Sequence, residues 1–369
     1  MADASSSQAA WLILNASGLS PARQLIMLEA FGDAEDVLGA ADADLKALDG
    51  VTAKHTQKLR ETEATVDTAT LAGNLAEIGG RLVTIRDDEY PPLLHEISDP
   101  PPLLFVNGDF QRADELAVAI VGTRKRSNYG QMVTERLAGE LVRRGFTIVS
   151  GLAMGIDSDA HNAALDAGGR TIAVTACGLD INYPSQNREL RKRTAQSGAV
   201  ISEMALGTPS LREYFPARNR IIAGLSLGTL VVEAPIKSGA LITARLAAEY
   251  GREVFAVPGS VDSPVSAGCH ALIRDGVTLV TVAEDIVEGL GIMLQAVPQR
   301  EPSQERDRKL DELPTDQRTV LGTLSHDPRN IDDIITASGL AAAGVTGALM
   351  LLEVKGLVRR FPGNTYVSI

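Results

Sequence analysis

"TLVVEAPIKSGALITARLAAEYGREVFAVPG", residues 229–259, carries the decisive pattern of this chain. It opens on a short apolar run (229–234), passes through a turn into a stretch with apolar residues at helical spacing that closes on glycine (240–251), and ends on a second apolar run (253–259). Runs this continuous belong to strands covered on both faces, and strand, helix, strand in this order joins parallel neighbours by a right-handed crossover. The first turn, "PIKSG" (235–239), sets Ser238 and Gly239 at a helix start with Lys237 beside them.

The unit repeats outward in both directions. "LAVAIVGT" (116–123), "FTIVSG" (146–151), "TIAVTACG" (171–178), "AVISEM" (199–204) and "VTLVTV" (277–282) are further apolar runs. Helical stretches separate most of them, as in "QMVTERLAGELVRRG" (131–145), where Val133, Leu137 and Leu141 fall at i, i+4 and i+8. The expected fold is α/β, with a central Rossmann-like, doubly wound, mostly parallel sheet in residues 86–295. Residues 1–85 read as a small all-α domain in which "LKALDGVTAKHTQKL" (45–59) resembles a helix-hairpin-helix or SAM-like unit, with Lys54, Lys58 and Arg60 as its charges. A proline-rich connector (90–110) holds a short strand at "PLLFVNG" (102–108). Residues 296–313 are polar and charged without apolar period and read as a linker, while 314–369 offer three helices and a hairpin around "PGN", the order of a winged helix.

Composition excludes several classes. At 369 residues the chain has room for two or three domains. No run of eighteen apolar residues occurs, and "MADASSSQAAWLILN" lacks the basic and long apolar regions of a secretory signal, so a cytoplasmic protein without membrane attachment is expected. Cys177 and Cys269 lie far apart with no metal-ligand spacing and read as core thiols; no metal site is expected. A net charge of −12 excludes a surface coated for indiscriminate polyanion binding, so any nucleic-acid site must be local.

In an open parallel sheet, ligands bind beyond the carboxyl ends of the strands. There the sequence places "GTRKR", with Gly122 and Thr123 allowing a tight turn before Arg124, Lys125 and Arg126, then Ser150–Gly151 before a helix, and the Lys237–Ser238–Gly239 turn. Three such turns converging on one edge would make an anion-binding cleft, although each glycine alone is also explained by close strand-to-helix packing. Neither G-x-G-x-x-G nor the phosphate-loop motif is present, so no nucleotide cofactor is expected. Catalytic groups are thin: Asp157 and Asp159 near His161 read as helix-start acids, and Glu233 is the other candidate, which could as well orient an arginine. "REYFPARNR" (212–220) interleaves Arg212, Arg218 and Arg220 with Tyr214, Phe215 and Asn219. Guanidinium groups grip phosphates and an aromatic face stacks any base, which is what single-stranded nucleic acid needs; the plainer reading buries Phe215 and pairs the arginines with acids.

Six stretches, "AIVGTRKRSNYG", "VSGLAMGIDSDAH", "CGLDINYPSQN", "ISEMALGTPSLREYFPARNRIIAGLS", "VVEAPIKSGALITA" and "FAVPGSVDSPVSAGCHALIRDGVTLV", resemble in order and spacing the DprA/Smf family of DNA-processing proteins. The resemblance implies a non-enzymatic protein that binds and protects single-stranded DNA during natural transformation and loads the RecA recombinase onto it, acting as a homodimer. It implies a phosphate pocket of Arg124, Ser150–Gly151, Arg212 and Lys237–Ser238–Gly239 with Phe215 stacking a base, and Arg218, Asn219 and Arg220 shaping the same loop. Where the family often carries a basic residue after "YP", this chain has Ser185, and Arg188 is the expected replacement. Dimerisation is expected at His270 and Leu279, which are otherwise core residues of the last βα unit. "AAAGVTGALMLLEVKG" (341–356), the helix a duplex reader would insert, is nearly devoid of basic and hydrogen-bonding residues, so the winged helix reads as protein-contacting. Two other readings remain: a nucleotide-processing enzyme of the phosphoribohydrolase kind, although the place of its "PGGxGT" loop reads "VPGSVDS", and a transcription regulator acting through the winged helix.

Overall fold

The computed structural model describes residues 6–291, 313–325, 328–355, 357–361 and 363–368. The chain divides into two compact units, Met1–Gln295 and Ala296–Ile369.

The first unit is built on strands β1 (Gly80–Thr84), β2 (Leu103–Gly108), β3 (Ala117–Val121), β4 (Thr147–Ser150), β5 (Thr171–Val174), β6 (Ala199–Ser202), β7 (Gly228–Val231), β8 (Glu253–Ala256) and β9 (Thr278–Leu279). Among the described residues they form one sheet in the order β1-β2-β6-β5-β4-β3-β7-β8-β9. Every pairing from β6 to β9 is parallel; β2 runs antiparallel to β6, and β1 antiparallel to β2. Every residue of β3 to β7 is buried, as the continuous apolar runs require. The chain adds β4, β5 and β6 on one side of β3, then returns to its other side for β7, β8 and β9. The order therefore reverses between β3 and β7, and at such a switch point the loops diverge and leave a crevice.

Helices α1 (Ser6–Ala16), α2 (Pro21–Phe31), α3 (Ala34–Gly39), α4 (Asp42–Ala47), α5 (Ala53–Thr65) and α6 (Thr68–Glu77) precede the sheet. They are followed by α7 (Pro92–His95), α8 (Asn128–Arg143), α9 (Ile156–Asp166), α10 (Arg188–Ser197), α11 (Tyr214–Gly224), α12 (Gly239–Glu249), α13 (Ala267–Arg274) and α14 (Ala283–Gly289). Alternation along β3 shows the two layers: Val118 and Ile120 pack with α8, α9 and α14, whereas Ala117, Ala119 and Val121 pack with α11, α12 and Cys269 of α13. Cys177 and Cys269 are buried, free thiols.

The N-terminal helices were expected as a domain ending at residue 85. Instead Trp11, Leu14, Met27, Leu59 and Leu75 share one core with Leu103, Phe105, Ala173 and Val200 of the sheet, and β1 already pairs with β2, so these helices belong to the same compact unit. Within the α4–α5 hairpin, Arg60 pairs with Asp42 and Glu63 at 3.0 Å each and Lys58 Nζ donates to the Gly18 carbonyl at 3.1 Å, so two of its three expected cations serve internal contacts.

The second unit holds α15 (Thr315–Gly322), α16 (Ile331–Ser338) and α17 (Ala342–Val354), with β10 (Arg329–Asn330), β11 (Val358–Phe361) and β12 (Thr365–Ser368) in the antiparallel order β10-β12-β11. Val320, Ile334, Val345, Leu349 and Leu352 give it a core of its own. This is a winged helix; β10 is the one element that the pattern of three helices and a hairpin did not include. Residues 296–312 of the expected linker lie outside the described residues. No single helix among the described residues is long and apolar enough to cross a membrane.

Candidate nucleic-acid interface

Four segments meet at the reversal between β3 and β7 and enclose a cleft of about 540 Å³. The β3–α8 loop contributes Gly122, Thr123, Arg124 and Lys125; the start of α9 contributes Asp157; α11 contributes Phe215, Arg218 and Asn219; the β7–α12 loop contributes Lys237, Ser238 and Gly239. The two switch-point loops are tied together because the Thr123 N–H donates to the Glu233 carbonyl at 2.7 Å. Gly122 permits this approach, since a Cβ there would lie 2.9 Å from that same oxygen.

Beneath the cleft lie two buried side chains of opposite charge, Arg218 and Asp157. Arg218, 5% exposed, donates Nη1 to the Gly151 carbonyl at 2.6 Å and to Val174 O, so it clamps α11 to the ends of β4 and β5. Burial pushes its guanidinium down to about 10, opposed by the charge of Asp157. The Asp157 carboxyl is pushed up by burial, against the pull of Arg218 and the backbone N–H groups of Ala153 and Gly151. Among neighbouring groups, His161 is fully buried with Nδ1 2.7 Å from Thr171 Oγ1, and burial pushes its imidazole down to about 3.

The three converging turns are not equivalent. Glu233 receives the Ser127 N–H at 2.9 Å and the Ser127 hydroxyl at 2.5 Å, so a carboxylate already occupies the start of α8; it orients no arginine among the described residues. Asp157 does the same at the β4–α9 turn, taking the Ala153 N–H at 3.4 Å. The Ser150 hydroxyl donates to the Ile120 carbonyl at 2.6 Å and Gly151 presses on Arg218, so the Ser150–Gly151 turn is consumed internally and does not line the cleft. The start of α12, capped only by its own Ser238, faces the cleft with no such carboxylate among the described residues.

At the mouth, Arg124, Lys125 and Lys237 are exposed, and none of them has an ion-pair partner among the described residues; Arg126 pairs with Asp159 at 2.5 Å. The Arg124 guanidinium lies over the Phe215 ring, 4.8 Å from its centroid, with Arg218 at 5.8 Å and Tyr183 meeting the ring edge to face at 6.0 Å. Tyr183, 40% exposed, was absent from the sequence-derived set; the "YP" dipeptide before Ser185 was its only signal.

The remaining expected residues stand apart. Arg188 and Arg212 are exposed at the start of α10 and ahead of α11, outside the cleft lining. Arg220 is on the other side of α11, paired with Glu203 and, at 3.3 Å, with Asp99. His270 Nε2 lies 3.0 Å from the Gly259 carbonyl in a half-buried position on α13, and Leu279 is 44% exposed on β9, the edge strand.

A doubly wound sheet with cations and an aromatic stack at its switch point, joined in sequence to a winged helix, defines a Rossmann-like protein with a local cleft lined by cations. The chain belongs to the DNA recombination-mediator protein A family, whose profile matches residues 81–291, and a DprA winged helix domain profile matches 304–364. It is 35% identical to Protein Smf of Synechocystis sp. over 98% of this chain and 99% of that protein. The X-ray structure of DNA processing protein A from Streptococcus pneumoniae is similar at a TM-score of 0.69 and 38% identity, over 76% of this chain and 97% of that one. DNA processing protein A from Helicobacter pylori, whose structure is described for its single-stranded DNA binding mode, is similar at 0.52 and 32% identity, over 57% of this chain and 95% of that one.

Proposed function

We propose that the cleft binds single-stranded DNA, that the protein protects this strand and loads the RecA recombinase onto it during natural transformation, and that it does so as a cytoplasmic homodimer without a catalytic step. The observation that carries the reading is the Arg124–Phe215–Tyr183 stack beside Lys125 and Lys237. Exposed cations hold phosphates, and an aromatic face accepts a base without regard to sequence. The described single-strand binding of the Helicobacter pylori relative supports it.

A nucleotide hydrolase would need a carboxylate free to activate water, whereas Asp157 is set against Arg218 and Glu233 against Ser127. A regulator that reads duplex DNA finds little in α17, which exposes Met350 and Leu351. The β9 edge with exposed Leu279 supports the dimer, because an unpaired edge strand is a ready pairing surface. The experiment is strand pairing by RecA on single strands pre-coated with single-strand-binding protein. Addition of this protein is expected to shorten the lag; an unchanged lag, with the strand demonstrably bound, overturns the loading role.

A further inference from the structure

The first turn of α11 is a wall between two cavities. Phe215 lines the cleft described above, while Tyr214, Pro216, Ala217 and Arg220 line a second cavity of about 710 Å³ that Asn15, Ala16, Gly18 and Leu19 close from the α1–α2 side. The closure is fixed by a hydrogen bond from Asn15 Nδ2 to the Glu203 carbonyl at 3.1 Å. Arg212 is exposed two residues ahead of the wall, which accounts for its absence from the first cleft.

The polar side of this cavity holds one guanidinium and two carboxylates. Arg220, 5% exposed, pairs with Glu203 and Asp99, and its Nη1 has no hydrogen-bond partner among the described residues. Asp99 also accepts from the Tyr250 hydroxyl at 2.8 Å. Two carboxylates against one guanidinium disfavour a phosphate and favour a flat group that donates N–H and accepts at a neighbouring atom. Half-buried Tyr214 supplies an aromatic surface at the same wall.

Resting on the single-strand reading above, we propose that this second cavity receives a guanine base from a strand whose phosphates occupy the first cleft, the strand crossing the start of α11 beside Arg212. Guanine offers two adjacent N–H donors for a carboxylate and a carbonyl oxygen for the guanidinium; thymine sets one N–H between two carbonyls and meets the carboxylates poorly.

The test is anisotropy of the full chain with a labelled oligothymidine and with the same oligomer carrying one guanine at successive positions. One guanine position is expected to tighten binding about tenfold over oligothymidine, the size of a good two-point base contact. Glu203→Gln and Ala16→Trp should each abolish that gain while leaving oligothymidine binding unchanged; Ala16→Trp fills the cavity from α1 and leaves the buried ion pair in place. If oligothymidine binds but no guanine position helps, or if the gain survives Ala16→Trp, the second cavity is not a base site and the cleft reading stands. If no strand binds, both readings fall.

Discussion

Two arginines approach the same ring with opposite duties. Arg124 is exposed over Phe215, whereas Arg218 is buried and bonded to the Gly151 carbonyl. Arg218→Ala leaves two buried carbonyls without their donor and removes the opposite charge near Asp157, and is expected to lower unfolding free energy by about 3–5 kcal/mol. Arg124→Ala should stay within about 0.5 kcal/mol of wild type and act on binding instead. Urea unfolding separates them; equal stability of the two variants contradicts the assignment. The sequence placed both arginines in basic clusters without separating them. Helical spacing did hold one signal, because residues two apart on a helix point to nearly opposite sides, and that divides Arg218 from Arg220. Burial also decides the behaviour of His161. Its folded-state value of about 3 lies below that of an unfolded histidine, so the unfolded chain takes the proton first. The stabilisation is complete above pH about 6.5 and declines by about 1.4 kcal/mol per unit as pH falls toward the folded value. Unfolding measured from pH 7 to 5.5 should show this decline in wild type and a flatter profile in His161→Asn; identical profiles contradict it.

At the scale of elements, the buried parallel strands were legible because covering both faces leaves an unbroken apolar run. β1 was not, since only Leu82 and Val83 mark it and its pairing with β2 depends on the tertiary fold. The three glycine-bearing turns also looked alike in sequence. What distinguishes one of them is Glu233, which occupies the start of α8 from 106 residues away, a separation that no local pattern reports. β9 is two residues long with both exposed, at the edge of the sheet. If this edge joins two copies, light scattering should give twice the chain mass for wild type and the chain mass for Leu279→Arg, with unchanged helical signal. A monomeric wild type contradicts the proposed dimer.

At the scale of the whole molecule, the net charge of −12 and the small set of exposed cations at the cleft act together. Electrostatic attraction confined to Arg124, Lys125 and Lys237 should give a shallow salt dependence, a slope of log K against log salt of about −2 per cleft for single strands. A slope several times steeper would mean that a wider basic surface, not this cleft, holds the strand. The overall acidity was legible from composition, whereas the gathering of Arg124, Lys125 and Lys237 at the switch point required the strand order. The second unit has its own core around Val320 and Leu349, so a chain ending at residue 291 is expected to retain strand binding.

The central claim is that the switch-point cleft grips single-stranded DNA through Arg124 and Phe215. Fluorescence anisotropy of a labelled oligothymidine, with duplex as competitor, tests it most directly in wild type, Arg124→Ala and Phe215→Ala. The account predicts preference for the single strand and a loss of about 1–3 kcal/mol for Phe215→Ala, the range of a stacking contact, with a comparable loss for Arg124→Ala. Binding that is absent, or indifferent to both substitutions in folded protein, would contradict it.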